Sequence, residues 1–283
     1  MVASFRQGLR QMGFVEGRNL SILFRWAEGR YDELPALAAE LVQLRVALIL
    51  SAGGFPAAQA AQKATSTIPI VFSAVADPVA LGLVDSLNNP GGNITGMSNF
   101  NTTLAAKRIQ LATELVPGAR VVCYLVNPSN AGSRLEEEGA TSAANSLGIE
   151  LHILKASTEI ELDKAFDGAA KVKASVLAAS GEAFFDSRRD RLVALAAKHS
   201  VPSIFGWREY VEAGGLMSYG SVLRDSYRQA GIYCGRILLG EKPGKLPVMQ
   251  PSKFELVINL KTAGTLRMTV PPTLLARADD VLE

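Results

Sequence analysis

Residues 68–100 read IPIVFSAVADPVALGLVDSLNNPGGNITGMSNF, and the whole chain is parsed from them. PIVFSAV is a continuous apolar run, the mark of a strand covered on both faces. ADPVALGLVDSL has the composition of a short helix, NNPGGN is a turn by its Asn, Pro and Gly content, and ITGMS is a second strand. Soon afterwards the same strand–helix alternation restarts, so one lobe ends here and another begins. On this parse Asp77 and Asn99 stand on the lip of a cleft between two lobes.

Upstream, MVASFRQGLRQMGF places Phe5, Leu9 and Met12 on one helical stripe. It has neither the basic start nor the apolar centre of a secretory signal. Residues 20–26, LSILFRW, alternate with Leu20, Ile22, Phe24 and Trp26 on one side, which predicts a strand. Residues 31–45 space Leu34, Leu37, Ala38, Leu41 and Leu44 as a helix, VALIL at 46–50 predicts a parallel strand, and AAQAAQKAT after SAGGFP is a good helix former.

Downstream, the pattern predicts helices over 103–116, 133–147 (stopped by Gly148), 159–171 and 186–199. Strands are predicted at VVCYLV, IELHILKA, ASVLAAS, VPSIFGW and GLMSYG, with REYVEAG a short helix. A long helix follows, striped by Tyr227, Ala230, Cys234, Ile237 and Leu238. EKPGKLPVMQPSK links it to a last strand, FELVINL, a short helix, TAGTLRM, and a polar tail. Strand–helix alternation argues an α/β fold of parallel sheets with helices on both faces. The simplest assembly assigns residues 1–99 and 220–246 to a first lobe and 100–219 and 247–283 to a second. Crossings then fall at 97–101, 218–221 and 245–252, three connections that form a hinge.

With 283 residues and 48% apolar content the chain can fill two ordinary cores. A net charge of +2 with no basic stripe argues against a nucleic-acid partner. No apolar run reaches the ~18 residues of a membrane span. Cys123 lies in an apolar run and Cys234 in a helical pattern, so both read as packing residues with no metal or redox spacing. Catalysis finds no support. GLMSYG lacks the GxSxG spacing, and neither His152 nor His199 lies beside a nucleophile loop. Two thiols facing a cleft, as a racemase needs, do not fit mid-strand and mid-helix positions. No metal or cofactor is implied, and no dinucleotide or triphosphate loop occurs.

VFSAVADPVALGLV, NPGGNITGMS, REYVEAGGLMSYG and KFELVINLKTA resemble the solute-binding components of a bacterial ABC-transporter family whose relatives include tryptophan- and tyrosine-binding lipoproteins. The likeness runs in order from Phe5 to the end. It implies a type I periplasmic-binding-protein fold, two Rossmann-like lobes joined by a three-crossover hinge. It also implies a periplasmic location, a monomer (a dimer being the alternative) and a permease partner. Family members carry a secretion signal and a first strand ahead of the helix near Phe5. Both are missing here, so the first strand of lobe 1 is expected to be absent. A genuine start would instead make the chain cytoplasmic.

Ligands in open parallel sheets lie outside the carboxyl ends of the strands. That rule selects residues 51–55 and 74–78 in the first lobe, 127–130, 180–185 and 206–208 in the second, and Asn99, Phe100, Ser218 and Tyr219 at the crossings. Gly53 and Gly54, ahead of a helix that opens with Phe55, could offer backbone N–H groups to a carboxylate, or form a plain strand-to-helix turn. Asp77 either caps the next segment or accepts a ligand amino group. Asn127 beside Pro128 reads as a turn residue or a ligand contact, and Glu182 lies in the following loop. Phe184, Phe205, Trp207 and Tyr219 are expected to ring the second lobe's side, each stacked pair adding ~0.5–1.5 kcal/mol. Arg208 pairs either with a ligand carboxylate or with a glutamate.

The sequence therefore reads as a binding protein, not an enzyme, that closes on an amino acid or aromatic carboxylate. Two alternatives stay open: a cytoplasmic sensor resembling a repressor's effector domain, and a truncated copy with no stable function, whose exposed strand edges invite aggregation.

Overall fold

A computed structural model describes residues 1–99 and 101–283, with backbone alone at 101 and 102. Phe100, expected at the first crossing, lies outside the described residues. The chain forms two units, Met1–Phe100 with Val222–Ser252 and Asn101–Ser221 with Lys253–Glu283, and passes between them three times. Residues 220–221 fall in the second unit and 247–252 in the first.

The first unit opens with α1 (Val2–Gln11), α2 (Leu34–Gln43), β1 (Ile49–Ala52), α3 (Phe55–Ala64), β2 (Ile70–Val75) and β3 (Ile94–Ser98). Its sheet is parallel in the order β1-β2-β3, with Ile49 beside Ile70 and Ile70 beside Ile94. Ile70, Val71 and Phe72 are fully buried because both sheet faces are covered. Ile49, Phe55, Ala58, Phe72 and Ile94 form one core, and Val71 and Met97 join Phe5 and Leu9 of α1 in the other.

Two elements depart from expectation. Residues 20–26 form no strand, although Leu20, Ile22 and Phe24 are half-buried and Ser21 and Leu23 exposed. Alternation fixed an extended backbone, but the sheet offers this segment no ladder, and its one bridge is Glu16 to Leu20. Trp26, 62% exposed, stacks on Phe24. Residues 77–87 form a turn where a helix was expected. Leu81 N–H reaches Asp77 O, but Leu83 and Val84 N–H both return to Pro78 O. That closure swings Leu83 and Val84 into the core.

The second unit continues with α4 (Asn101–Leu115), β4 (Val121–Val126), α5 (Gly132–Leu147), β5 (Glu150–Lys155), α6 (Glu159–Lys171), β6 (Val176–Ala179), α7 (Ala183–Ser187), α8 (Arg189–Lys198), β7 (Ser203–Phe205), α9 (Arg208–Glu212) and β8 (Met217–Ser221). α10 (Leu223–Leu238) returns to the first unit. β9 (Phe254–Asn259), α11 (Leu260–Thr265), α12 (Pro272–Leu275) and β10 (Asp280–Leu282) complete the second. Its seven strands run in the order β10-β9-β8-β7-β6-β4-β5. Neighbours are parallel except β8 and β9, which pair antiparallel, so this sheet is mixed where an all-parallel one was expected. The tail read as merely polar supplies β10, paired to β9. The helix expected over 186–199 is two, broken at Arg188, whose backbone (φ −114°, ψ 20°) is not helical.

α1 lies on α10 through glycine. A Cβ on Gly231 would come within 2.2 Å of Phe5 O and 2.9 Å of Leu9 N, so only glycine lets the two backbones approach this closely. Cys123 and Cys234 are both buried, and burial pushes both thiols up, that of Cys123 to about 11.

Candidate functional site

In the first unit the carboxyl ends of β1 and β2 carry the candidates. Gly54 is the N-cap of α3 at φ 76°, ψ −159°, a region that side-chain-bearing residues avoid. Its N–H donates to Ser73 O at 3.3 Å. α3 has no side-chain cap, so its first N–H groups rely on whatever lies ahead of them. Ser51, at the end of β1, has a buried hydroxyl with no hydrogen-bond partner among the described residues. Phe55 points the other way and packs in the core with Ile49 and Phe72. At β2 the register with β3 shifts between Phe72 and Val75, and Ala74 adopts φ 60°. Asn99, buried, holds that irregularity: its Nδ2 donates to Ala74 O at 3.1 Å and its N–H to Val75 O at 3.0 Å. Asp77 acts as a cap, its Oδ1 accepting from Val79 and Ala80 N–H at 3.1 and 2.9 Å.

In the second unit β4, β6 and β7 end at the remaining candidates. Asn127 Nδ2 donates to Glu182 Oε2 at 3.1 Å while its Oδ1 accepts Ser129 N–H at 3.0 Å, so it makes a turn and a side-chain link together. Glu182 is buried and caps α7 by accepting Phe185 N–H at 2.8 Å. Phe184 is buried with the Arg188 guanidinium 5.1 Å from its ring centroid. Trp207 is buried and donates through Nε1 to Asp186 Oδ2 at 3.1 Å. Phe205 is fully buried and stacks on Tyr210 at 4.5 Å, which makes it part of the core. Tyr219 is half-buried and packs on the main core of this unit. Arg208 binds three carboxylates, Glu212 at 3.1 Å, Glu255 at 3.0 Å and Asp280 at 2.5 Å, and so ties β9 and β10 to α9.

Sequence reasoning missed two buried polar networks here. Asp186 accepts from Trp207 and, through Oδ1, from the Tyr210 hydroxyl at 3.0 Å. Burial, then Glu182, push its carboxyl up to about 8. Arg108, fully buried on α4, donates from Nε to Tyr219 O at 3.1 Å and from Nη1 to Ala179 O and the Tyr124 hydroxyl, both at 3.4 Å. It faces Glu136 at 3.6 Å, whose Oε2 accepts the Tyr124 hydroxyl at 2.9 Å. Burial raises Glu136 to about 7, with Arg108 opposing. The guanidinium thus joins the carboxyl end of β6 to β8. A signal existed, since Arg108 interrupts the apolar stripe Leu104, Ala105, Ile109, Ala112, Leu115 on α4. A charge on a buried stripe demands partners.

Asn127 with Glu182, and Trp207 with Asp186, are thus linked at one end of the second unit's sheet, and Phe184 lies on α7, which Glu182 caps. Gly53, Gly54 and Asn99 are gathered at one end of the first unit's. Such a set offers hydrogen bonds, aromatic faces and a helix N-terminus, but no nucleophile paired with a base.

Comparisons with known proteins agree with this chemistry. A family described as ABC transporter substrate binding protein matches residues 1–282. A tyrosine-binding protein of Clostridioides difficile (strain R20291) is 29% identical over 264 residues, 93% of this chain and 75% of that protein. A crystal structure from Vibrio cholerae, of a protein called only a conserved domain protein, is 30% identical. It covers 99% of this chain and 95% of its own, with a TM-score of 0.91. The structure of an ABC domain from Streptococcus pneumonia in complex with L-Trp is 26% identical over 99% of this chain and 94% of its own, with a TM-score of 0.88.

Proposed function

The chain belongs to the ABC transporter substrate-binding proteins, and on that premise we propose that it captures one amino acid or aromatic carboxylate between its two units and delivers it to a membrane permease. The family binds its substrates and does not transform them, so no residue is assigned a catalytic role. The observation that carries the ligand class is kinship, at 29% and 26% identity over nearly the whole chain, with a tyrosine-binding protein and an L-Trp-bound domain.

In this reading the backbone at Gly53 and the first N–H groups of α3 receive the carboxylate, while the Gly54 N–H stays with Ser73 O and its positive-φ backbone shapes the approach. Glu182, with Asn127, takes the ammonium, and Phe184, Trp207 and Tyr219 supply the flat surface. The Asp77 carboxylate stays with its own backbone cap. Because the ligand touches both units it favours the closed arrangement, by as much as its affinities for the closed and open states differ. Converting a 1:99 equilibrium to 99:1 takes about 5.5 kcal/mol. The protein works outside the cytoplasmic membrane as a monomer.

A thermal-shift screen of amino acids, aromatic acids and sugars tests this. A true ligand at 100 times its Kd adds about 2.7 kcal/mol of stability, and the responders should be aromatic amino acids or aromatic acids. A sugar as sole responder would refute the ligand class. A folded sample with no responder would refute the binding role.

A further inference from the structure

We propose that Arg108, paired with Glu136, is a positioning residue for the solute: one buried guanidinium sets the carboxyl ends of β6, β7 and β8 against one another, and with them Glu182, Trp207 and Tyr219. The inference rests on the solute-binding reading, which gives those three side chains to the ligand.

The side chain reaches three strand ends from one helix. Nη1 donates to Ala179 O, the last carbonyl of β6, and Nε donates to Tyr219 O in β8. β7 is met by packing. A Cβ on Gly206, which follows β7, would stand 3.5 Å from Arg108 Nη2 and 3.3 Å from Gly181 Cα, so this glycine leaves the guanidinium its place. A Cβ on Gly220 would come within 1.8 Å of Gly206 O, so β8 lies directly against the end of β7. Glu136, reaching in from α5, holds the loop after β6. It accepts the Tyr124 hydroxyl at 2.9 Å and the Gly181 N–H, and Gly181 immediately precedes Glu182. The anchored positions are therefore Tyr219 itself and the direct neighbours of Glu182 and Trp207.

Stability alone does not account for this arrangement. A buried ion pair adds little relative to apolar side chains of the same volume, and the stripe of α4 that carries Arg108 is otherwise apolar. What a guanidinium adds is direction, because its planar fork fixes several acceptors at set angles and a lysine does not.

The pair also implies a pH dependence of binding. Glu136 is faced by Arg108 from α4, by Tyr124 from β4 and by Glu182 from the segment after β6. Burial, against the pull of Arg108, brings its carboxyl to about 7. Above that value the ion pair is complete. Below it Glu136 is neutral, and its hold on Arg108 and on the Gly181 N–H slackens. Solute affinity should therefore be greater at pH 8 than at pH 6.

The test is isothermal titration of the full chain with L-tryptophan at pH 6 and pH 8, for the wild type, Glu136→Gln, Arg108→Lys and Leu115→Ala. Glutamine keeps the shape of Glu136 and removes its charge. Leu115→Ala opens a cavity at the last residue of α4, a loss of stability with no tie to the strand ends. Circular dichroism verifies that each variant is folded at the titration temperature. Glu136→Gln should match the wild type at pH 6 and bind about tenfold more weakly at pH 8. Asp186 is present in both proteins and cancels from that comparison. Arg108→Lys should bind about tenfold more weakly at both pH values, and Leu115→Ala should bind as the wild type does. If Arg108→Lys does not fold, Glu136→Gln decides the matter. A Glu136→Gln deficit that is absent, or equal at the two pH values, would overturn the proposal, as would the same deficit in Leu115→Ala. A wild type that binds neither L-tryptophan nor L-tyrosine refutes the solute reading and this proposal with it. A wild type that binds while Glu136→Gln and Arg108→Lys match it overturns this proposal alone.

Discussion

Arg108→Met removes a fully buried guanidinium and strands everything it holds. Glu136, 3.6 Å away and buried, loses its counter-charge, and the carbonyls of Tyr219 and Ala179 lose a donor. Methionine fills most of the stem's volume, so the loss is mainly electrostatic. Breaking one side of a buried pair costs about 3–5 kcal/mol. At about 2–4 °C per kcal/mol for a unit of this size, Tm should fall by roughly 6–20 °C. The pH dependence gives a sharper signature. Glu136 already sits near 7, above its ordinary 4.5, because burial outweighs Arg108, and without Arg108 its folded value climbs further. A carboxyl whose folded value exceeds its unfolded one is least harmful below the unfolded value, near 4.5. It destabilises increasingly as pH rises through the folded value. The deficit of Arg108→Met should therefore be small at pH 5 and large at pH 8, and Glu136→Gln in the same chain should restore part of it at pH 8. Differential scanning calorimetry at the two pH values reads all three quantities. A deficit equal at pH 5 and pH 8, or a double variant whose losses simply add, would refute the account of this network.

Asp186→Asn should flatten the pH dependence of stability between about pH 4 and 8, because the raised Asp186 carboxyl makes the wild type lose stability as pH rises through that window. Urea unfolding across pH measures it, and parallel curves for the two proteins would contradict the assignment. Gly54→Ala should cost about 1–3 kcal/mol from its glycine-only, positive-φ extended backbone alone, and it should weaken solute binding further by disturbing the start of α3. Gly231→Ala drives a methyl to within 2.2 Å of Phe5 O, so it should destabilise the first unit by about 1–3 kcal/mol or more. Limited proteolysis should then cut near α1 first.

The layout of the fold was legible because buried parallel strands and amphipathic helices announce themselves by period. VVCYLV became β4, and Gly148 ended α5 as expected. What failed depended on partners remote in sequence. Alternation in residues 20–26 specifies an extended chain, but a strand also needs a neighbour to bond with. The direction of β9 is set by pairing with β8, not by the composition of FELVINL. Asp77 and Pro78 fit a helix start as well as the turn that formed. At the candidate site the strand-end rule names loops and leaves side-chain direction open. Phe55 and Phe205 turn into cores, and Arg208 is taken by Glu255 and Asp280, which lie far along the chain. The buried Arg108 could have been found from the stripe it interrupts, whereas the hold of Asp186 on Trp207 left no trace in local sequence.

Isothermal titration decides whether this chain binds an amino acid or aromatic carboxylate. L-tryptophan, L-tyrosine and benzoate should be injected separately into the full chain, with glucose as the control. Saturable one-to-one binding of at least one aromatic acid is expected, with a negative heat-capacity change as apolar surface is buried, and no heat from glucose. Folded protein that gives no binding heat with any of the three across several temperatures would contradict it.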